Sequence, residues 1–303
     1  MIYIFSLLGY GDCLITLSLL EQQPLMAKAK CVVVGTQVTV RVAALMRDPP
    51  SSILSILPDM ASFYALKKQG PFRAFADAVA VRKWGRQTLT SDDMLLFEKN
   101  DWRSGWLTPR KVAAVYKVPR RENVYVDRAQ VLQNFCGPLI LSPCETSSSR
   151  LKRLLLNPSS RQRSKILGAP IINAILAAAQ EASVEVCLID VDGTFKGWCD
   201  QVATYCSAPE LKDSAALLDA ADCYIGPDSF FMHLAYYRKV PFFGFFQRGN
   251  VYFAPPGMLD AGNYAYFDEA QDISKLQIKL SKFLEPAGAQ NGSYHGTNWR
   301  PYE

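Results

Sequence analysis

Histidine is almost missing from this chain: its 303 residues hold two, His233 and His295, so a site built from several imidazoles is excluded and any metal would rest on carboxylates. Paired cysteines are missing as well. The eight cysteines (13, 31, 136, 144, 187, 199, 206 and 223) form no C-x2-C pair, and several sit in apolar runs such as Cys31-Val32-Val33-Val34 and Val186-Cys187-Leu188-Ile189. They read as buried free thiols rather than as a disulfide frame or a zinc site. No uninterrupted apolar stretch approaches the ~18 residues that cross a bilayer, and residues 2–8 (IYIFSLL) are short and lack the basic flank of a signal peptide. A cytoplasmic protein is expected.

What is present is the balance of a globular chain, 49% apolar and 20% charged, which excludes disordered and fibrous classes. The length accommodates one large domain or two medium ones. The net charge of +5 is uneven: residues 1–136 hold 18 Lys and Arg against 11 Asp and Glu, whereas residues 137–303 hold 15 against 17. The basic residues of the first half are scattered between Arg73 and Arg128, which makes either a broad field for an anionic partner or a solvated surface.

Short apolar runs alternate with amphipathic stretches. Strands are predicted at 2–8, 31–35, 53–57, 138–142, 184–189, 222–226 and 240–246, and helices at 13–22, 37–47, 59–69, 170–182, 211–221, 229–238 and 272–285. Strands apolar throughout, alternating with helices, specify an α/β class with parallel sheets covered on both faces. The pattern restarts at Cys136-Gly137-Pro138, so domains are expected at 1–136 and 137–285, with a polar tail at 286–303. The stretch 84–127, with Trp84, Trp102, Trp106 and Pro109 among charges, reads as loop-like.

Four places could carry chemistry. After the first strand, Gly9-Tyr10-Gly11-Asp12 turns into the helix CLITLSLL; the third glycine of a dinucleotide fingerprint is replaced by Leu14, and spacing alone puts Asp12 where a helix N-cap belongs. Further on, Gly226-Pro227 ends a strand and Asp228-Ser229 opens a helix that carries His233 four residues past Ser229. A helix N-terminus, a hydroxyl and an imidazole on one face suit a phosphate or diphosphate, and a capped helix with a half-buried histidine suits the same spacing. The polar run Ser142 to Arg153, with the cations Arg150, Lys152 and Arg153, could clamp phosphates from the other side. Finally, Asp190-Val191-Asp192-Gly193-Thr194 resembles the D-x-D-G-T opening of haloacid-dehalogenase phosphatases, and also the metal-binding D-x-D of other sugar transferases. The ~35 residues from there to Asp228 leave little chain for the rest of a phosphatase domain.

The segment Leu217-Leu218-Asp219-Ala220-Ala221-Asp222-Cys223-Tyr224-Ile225-Gly226-Pro227-Asp228-Ser229-Phe230-Phe231-Met232-His233-Leu234-Ala235, followed by Val240-Pro241 and Gly244, resembles the donor-site signature of glycosyltransferase family 9, the heptosyltransferase-like family. Leu8-Gly9-Tyr10-Gly11-Asp12 is similar to that family's opening turn.

The resemblance implies a GT-B architecture of two facing Rossmann-like domains with a cleft between them, the acceptor on the first and a nucleotide sugar on the second. It implies an inverting transfer without cofactor or catalytic metal, to a hydroxyl of a bacterial surface glycan of lipopolysaccharide-core or O-antigen type. Asp12 becomes the general base, with Gly9 and Gly11 in the loop near the acceptor. Asp228 orients the donor sugar, Ser229 and His233 hold the diphosphate beside Gly226, and Lys152 or Arg153 neutralises the leaving group. Phe230 and Phe231 stand where the family has Gly-Pro, which points to a different donor or a shifted pose. The expected partners are a nucleotide sugar and an anionic glycan or glycolipid, with room for peripheral contact with the inner membrane surface and no nucleic acid. Two alternatives stand beside this reading: a catalytically silent nucleotide-sugar or phosphate-binding protein, and a magnesium-dependent phosphatase using Asp190.

Overall fold

A computed structural model describes residues 1–24, 28–57, 71–98, 112–136, 151–207 and 209–285. The chain divides into two compact units, Met1–Ser142 and Pro143–Glu303.

The first unit is a five-stranded sheet of β1 (Ile2–Ser6), β2 (Cys31–Thr36), β3 (Ile53–Leu57), β4 (Met94–Phe97) and β5 (Ala114–Lys117), every pair parallel, in the order β3-β2-β1-β4-β5. Alternation along β1 assigns its faces. Tyr3, Phe5 and Leu7 join Val32, Val34, Leu95 and Phe97 in one core, closed by Val81 and Trp84 of α3 (Pro71–Thr88). Ile2, Ile4 and Ser6 point the other way, the side of α1 (Tyr10–Glu21), which packs against α2 (Gln37–Ala43) and α4 (Val124–Cys136). Residues Cys13 to Leu20 of α1 are all buried, which is why this helix is apolar around its circumference.

The second unit is a six-stranded parallel sheet of β6 (Arg153–Leu156), β7 (Glu185–Asp190), β8 (Thr204–Ser207), β9 (Cys223–Pro227), β10 (Phe242–Phe246) and β11 (Tyr264–Tyr266), in the order β11-β10-β9-β6-β7-β8. Leu154, Leu156, Cys223, Ile225, Phe243 and Phe245 pack on α5 (Ala169–Glu181) and α8 (Ile273–Leu284). Between β8 and β10 come α6 (Leu211–Asp219) and α7 (Phe230–Arg238). Leu155, Tyr224, Gly226 and Gly244 occupy the opposite sheet face; a Cβ at Gly244 would meet the Met232 sulfur of α7, which locates that helix.

Both sheets are doubly wound. Their strand order reverses between β1 and β4 in the first unit and between β6 and β9 in the second, and ligands of such sheets bind beyond the carboxyl ends of the strands at that reversal.

The expected α/β class holds, with several elements placed differently from the sequence reading. The 84–127 stretch contains the end of α3, β4, β5 and the start of α4. Its strands have four residues each, too short for periodicity to reveal. The first described strand of the second unit is Arg153–Leu156; the strand expected at 138–142, the helix expected at 59–69 and the tail 286–303 lie outside the described residues.

Candidate active site

At the first reversal, β1 ends on Ser6 and the chain enters α1 through Gly9. Gly9 itself is the N-cap, at φ −79° and ψ 176°, and provides no side-chain cap. Asp12 is therefore not the cap that spacing suggested. It lies in the first helical turn, and its carboxylate is drawn sideways to α4, where Arg128 Nη2 donates to Asp12 Oδ1 at 2.6 Å. Arg128 Nη1 also donates to the Asp12 carbonyl at 2.5 Å and to Thr16 Oγ1 at 3.0 Å.

Glu98 follows β4 directly, beside the end of β1. Its Oε1 accepts from Ser6 Oγ at 3.0 Å and from Thr16 Oγ1 at 2.5 Å, and lies 3.7 Å from Arg128 Nη1. Its Oε2 is buried without a hydrogen bond. Burial above all, helped by the Asp12 charge, pushes the Glu98 carboxyl up to about 7, against the pull of Arg128 and the two hydroxyls. Burial also works against the Arg128 charge, but Glu98 and Asp12 outweigh it and hold the guanidinium above its ordinary value. Asp12 is the accessible member, its side chain 29% exposed against 3% for Arg128.

At the second reversal, β9 ends on Pro227 and α7 begins at Phe230 with Ser229 as N-cap. Asp228, in the turn, accepts from Lys165 Nζ at 2.5 Å, and His233 Nε2 lies 4.0 Å from the other Asp228 oxygen. All three are buried. Lys165 comes from the loop after β6, the strand adjacent to β9, so the pair spans the reversal itself.

Ser159 Oγ is buried without a hydrogen bond, and the hydroxyls of Ser229 and Tyr224 are buried beside each other with only one another to bond. An unsatisfied group costs about 1 to 3 kcal/mol, and a polar ligand at the edge would relieve that cost. Gly226 has a local reason to be glycine: a Cβ there would lie 2.2 Å from Tyr224 Oη and 2.7 Å from the Asn157 carbonyl. The missing side chain makes room for the Tyr224 phenol, whose own pKa burial raises.

Lys152 and Arg153 do not join this cluster. They stand at the amino end of β6, where their backbone N–H groups bond Asp222 and the Arg153 side chain, 64% exposed, reaches Glu185, whereas the Asp228 cluster lies beyond the strand's carboxyl end. The cation that does meet Asp228 was missed because the opening strand was expected at 138–142. Once the strand is placed at Arg153–Leu156, the loop Asn157-Pro158-Ser159-Ser160-Arg161-Gln162-Arg163-Ser164-Lys165 becomes the phosphate-side candidate. The hydroxyl run from Ser142 to Arg150 and His295 lie outside the described residues.

Asp190 is fully enclosed, accepting from the Phe195 N–H at 2.8 Å and the Tyr205 hydroxyl at 2.6 Å. A phosphatase nucleophile must be reached by its substrate, so this carboxylate reads as a brace for the loop after β7. Among the described residues no group of three His, Cys, Asp or Glu side chains could hold a metal ion, and no helix is long and apolar enough to cross a membrane. Phe230 is half-buried, its ring edge-on to Phe231 at 5.4 Å.

The sequence matches no protein-family model and no curated protein. In three dimensions it is similar to the E. coli heptosyltransferase WaaC solved with ADP-2-deoxy-2-fluoro heptose, at TM-score 0.62 and 13% identity over 93% of this chain and 98% of that one. It is similar to a family 9 glycosyltransferase from Veillonella parvula at TM-score 0.61 and 12% identity, over 95% and 91% of the two chains. The E. coli ADP-heptose lipopolysaccharide heptosyltransferase II gives TM-score 0.58 and 12% identity over 93% and 98%. The likeness is one of fold: two Rossmann-like units of the heptosyltransferase type.

Proposed function

We propose that this protein is an inverting glycosyltransferase that moves a sugar from a nucleoside-diphosphate donor to a hydroxyl of an anionic, bacterial surface-type glycan, with no catalytic metal. The observation that carries this reading is the cluster at the second reversal. A buried Lys165–Asp228 pair, His233, the N-terminus of α7 and the buried hydroxyls of Ser159, Ser229 and Tyr224 meet where a doubly wound sheet binds nucleotides. The resemblance of residues 217–235 to the family 9 donor signature, and the fold shared with heptosyltransferases, support the same assignment.

In this reading the donor diphosphate lies against the Ser229 end of α7, with Lys165 in the role that the sequence assigned to Lys152 or Arg153. As the bond from the anomeric carbon to the diphosphate breaks, charge builds on the leaving oxygens, and the ammonium and preformed N–H groups stabilise it without reorganisation. Asp228, held by Lys165, orients the sugar hydroxyls. Asp12 takes the proton of the acceptor hydroxyl as its oxygen bonds to the anomeric carbon, and attack opposite the leaving group inverts that centre. The acceptor's negative charge meets the basic first unit, where Arg120 and Arg121 are exposed beyond the carboxyl end of β5.

The test is release of nucleoside diphosphate from a panel of ADP- and UDP-sugars in the presence of a lipopolysaccharide-core acceptor and EDTA. Acceptor-dependent release that survives EDTA is expected. Release abolished by EDTA and restored by Mg²⁺ or Mn²⁺ would overturn the metal-free assignment, and binding without release from any donor would leave a nucleotide-sugar-binding protein.

A further inference from the structure

At the first reversal two carboxylates share one guanidinium. Arg128 Nη2 is committed to Asp12 Oδ1 at 2.6 Å, while Nη1, bonded to the Asp12 carbonyl and Thr16, stands 3.7 Å from Glu98 Oε1. The side chains of Arg128 and Glu98 are 3% and 2% exposed, so water screens their interaction little. Glu98 Oε2 and Arg128 Nε are both buried without a hydrogen bond, which leaves each with unused capacity. Two carboxylates that share one buried cation are coupled through it, so the charge on one changes the hold of the cation on the other.

We propose that Glu98 is a positioning residue that controls Asp12 through Arg128: ionised, it competes for the guanidinium and loosens its hold on Asp12; protonated, it leaves Arg128 to Asp12 and Thr16. The consequence for turnover rests on the reading of Asp12 as the general base, whereas the linkage between the two carboxylates does not.

Among the described residues, the titratable groups around Glu98 are Asp12 and Cys13 of α1 and Arg128 of α4; Ser6 of β1 and Thr16 of α1 complete its shell. Burial first, then the Glu98 charge, pushes the Cys13 thiol up to about 12, so it stays neutral, and Arg128 stays charged. Glu98, pushed up to about 7, changes state around neutral pH, whereas Cys13 and Arg128 do not. Raising the pH through about 7 ionises Glu98 and loosens the guanidinium's hold on Asp12, and lowering it restores that hold.

Two measurements on the full-length protein test this. In protein carrying ¹³C-carboxyl glutamate, NMR titration should show one glutamate titrating near 7. That signal should vanish in Glu98→Gln, move to lower pH in Asp12→Asn because the like charge is gone, and move to higher pH in Ser6→Ala because a donor to Oε1 is gone. Ser6→Ala keeps the assignment testable if Glu98→Gln does not fold. A glutamate titration confined to pH 4–5, or one near 7 that Asp12→Asn leaves in place, would overturn the linkage. In the turnover assay kcat should fall as the pH drops through about 7 in wild type and level off once Glu98 is protonated. In Glu98→Gln it should be low and flat across that range, with KM for the donor unchanged. A Glu98→Gln protein that keeps the wild-type pH profile would overturn control of the base. The coupled titration without any turnover of donor sugars would sink the transferase reading and leave the Glu98–Asp12 linkage standing.

Discussion

Asp228 and Lys165, 63 residues apart in sequence, meet at 2.5 Å, each side chain less than a tenth exposed. Removing one partner of such a pair strands the other charge, at a cost of about 3 to 5 kcal/mol. Lys165→Met should therefore lower the melting temperature sharply and weaken ADP or UDP binding. The double variant Lys165→Met with Asp228→Asn should recover stability and leave binding weak. Calorimetric melts with and without nucleoside diphosphate check both, and restored binding in the double variant would remove Lys165 from the diphosphate site.

Gly226 and Tyr224 make a second pair. With 2.2 Å between a would-be Cβ and Tyr224 Oη, Gly226→Ala forces the phenol to move, and overpacking of this kind costs about 1 to 3 kcal/mol. Tyr224→Phe in the same chain should recover part of that cost, the remainder coming from the Asn157 carbonyl and the ring Cζ of residue 224, each 2.7 Å from the would-be Cβ. Chemical denaturation of the two single variants and the double variant measures the recovery. Strict additivity of the two changes would show that the phenol does not set the need for glycine.

The pair also shows what a sequence can and cannot announce. Asp228, Ser229 and His233 were legible because a strand end, a helix start and the polar residues between them are consecutive, so local spacing alone brings them together. Lys165 and Arg128 were not, because each reaches its partner through strand order: β6 beside β9, and α4 beside α1. Glu98 was hidden in the stretch 84–127 by a strand, MLLF, of four residues. Asp12 was legible as a residue but not in its partner, since a first-turn carboxylate looks the same in sequence whether it caps its helix or pairs with a distant arginine.

Phe230 opens α7 half-buried, where the family signature has glycine. A ring beside the donor narrows the pocket or stacks on the sugar, so Phe230→Gly should change the ranking of nucleotide sugars by about 1 to 3 kcal/mol. The stability loss should stay below the ~3 to 5 kcal/mol of a fully buried ring, because this one is partly in solvent already. Competition among ADP- and UDP-sugars, read beside the melting temperature, separates the two effects. Lost stability with an unchanged ranking would return Phe230 to a packing role.

The most direct test of the whole account is Asp12→Asn, an exchange that keeps shape and removes the base. With the donor assigned to the second unit by the proposed function, affinity for the nucleotide sugar should be unchanged while kcat for transfer falls by roughly 10² to 10⁴, the usual contribution of a general base. A folded Asp12→Asn protein that binds donor and transfers sugar at the wild-type rate would contradict it.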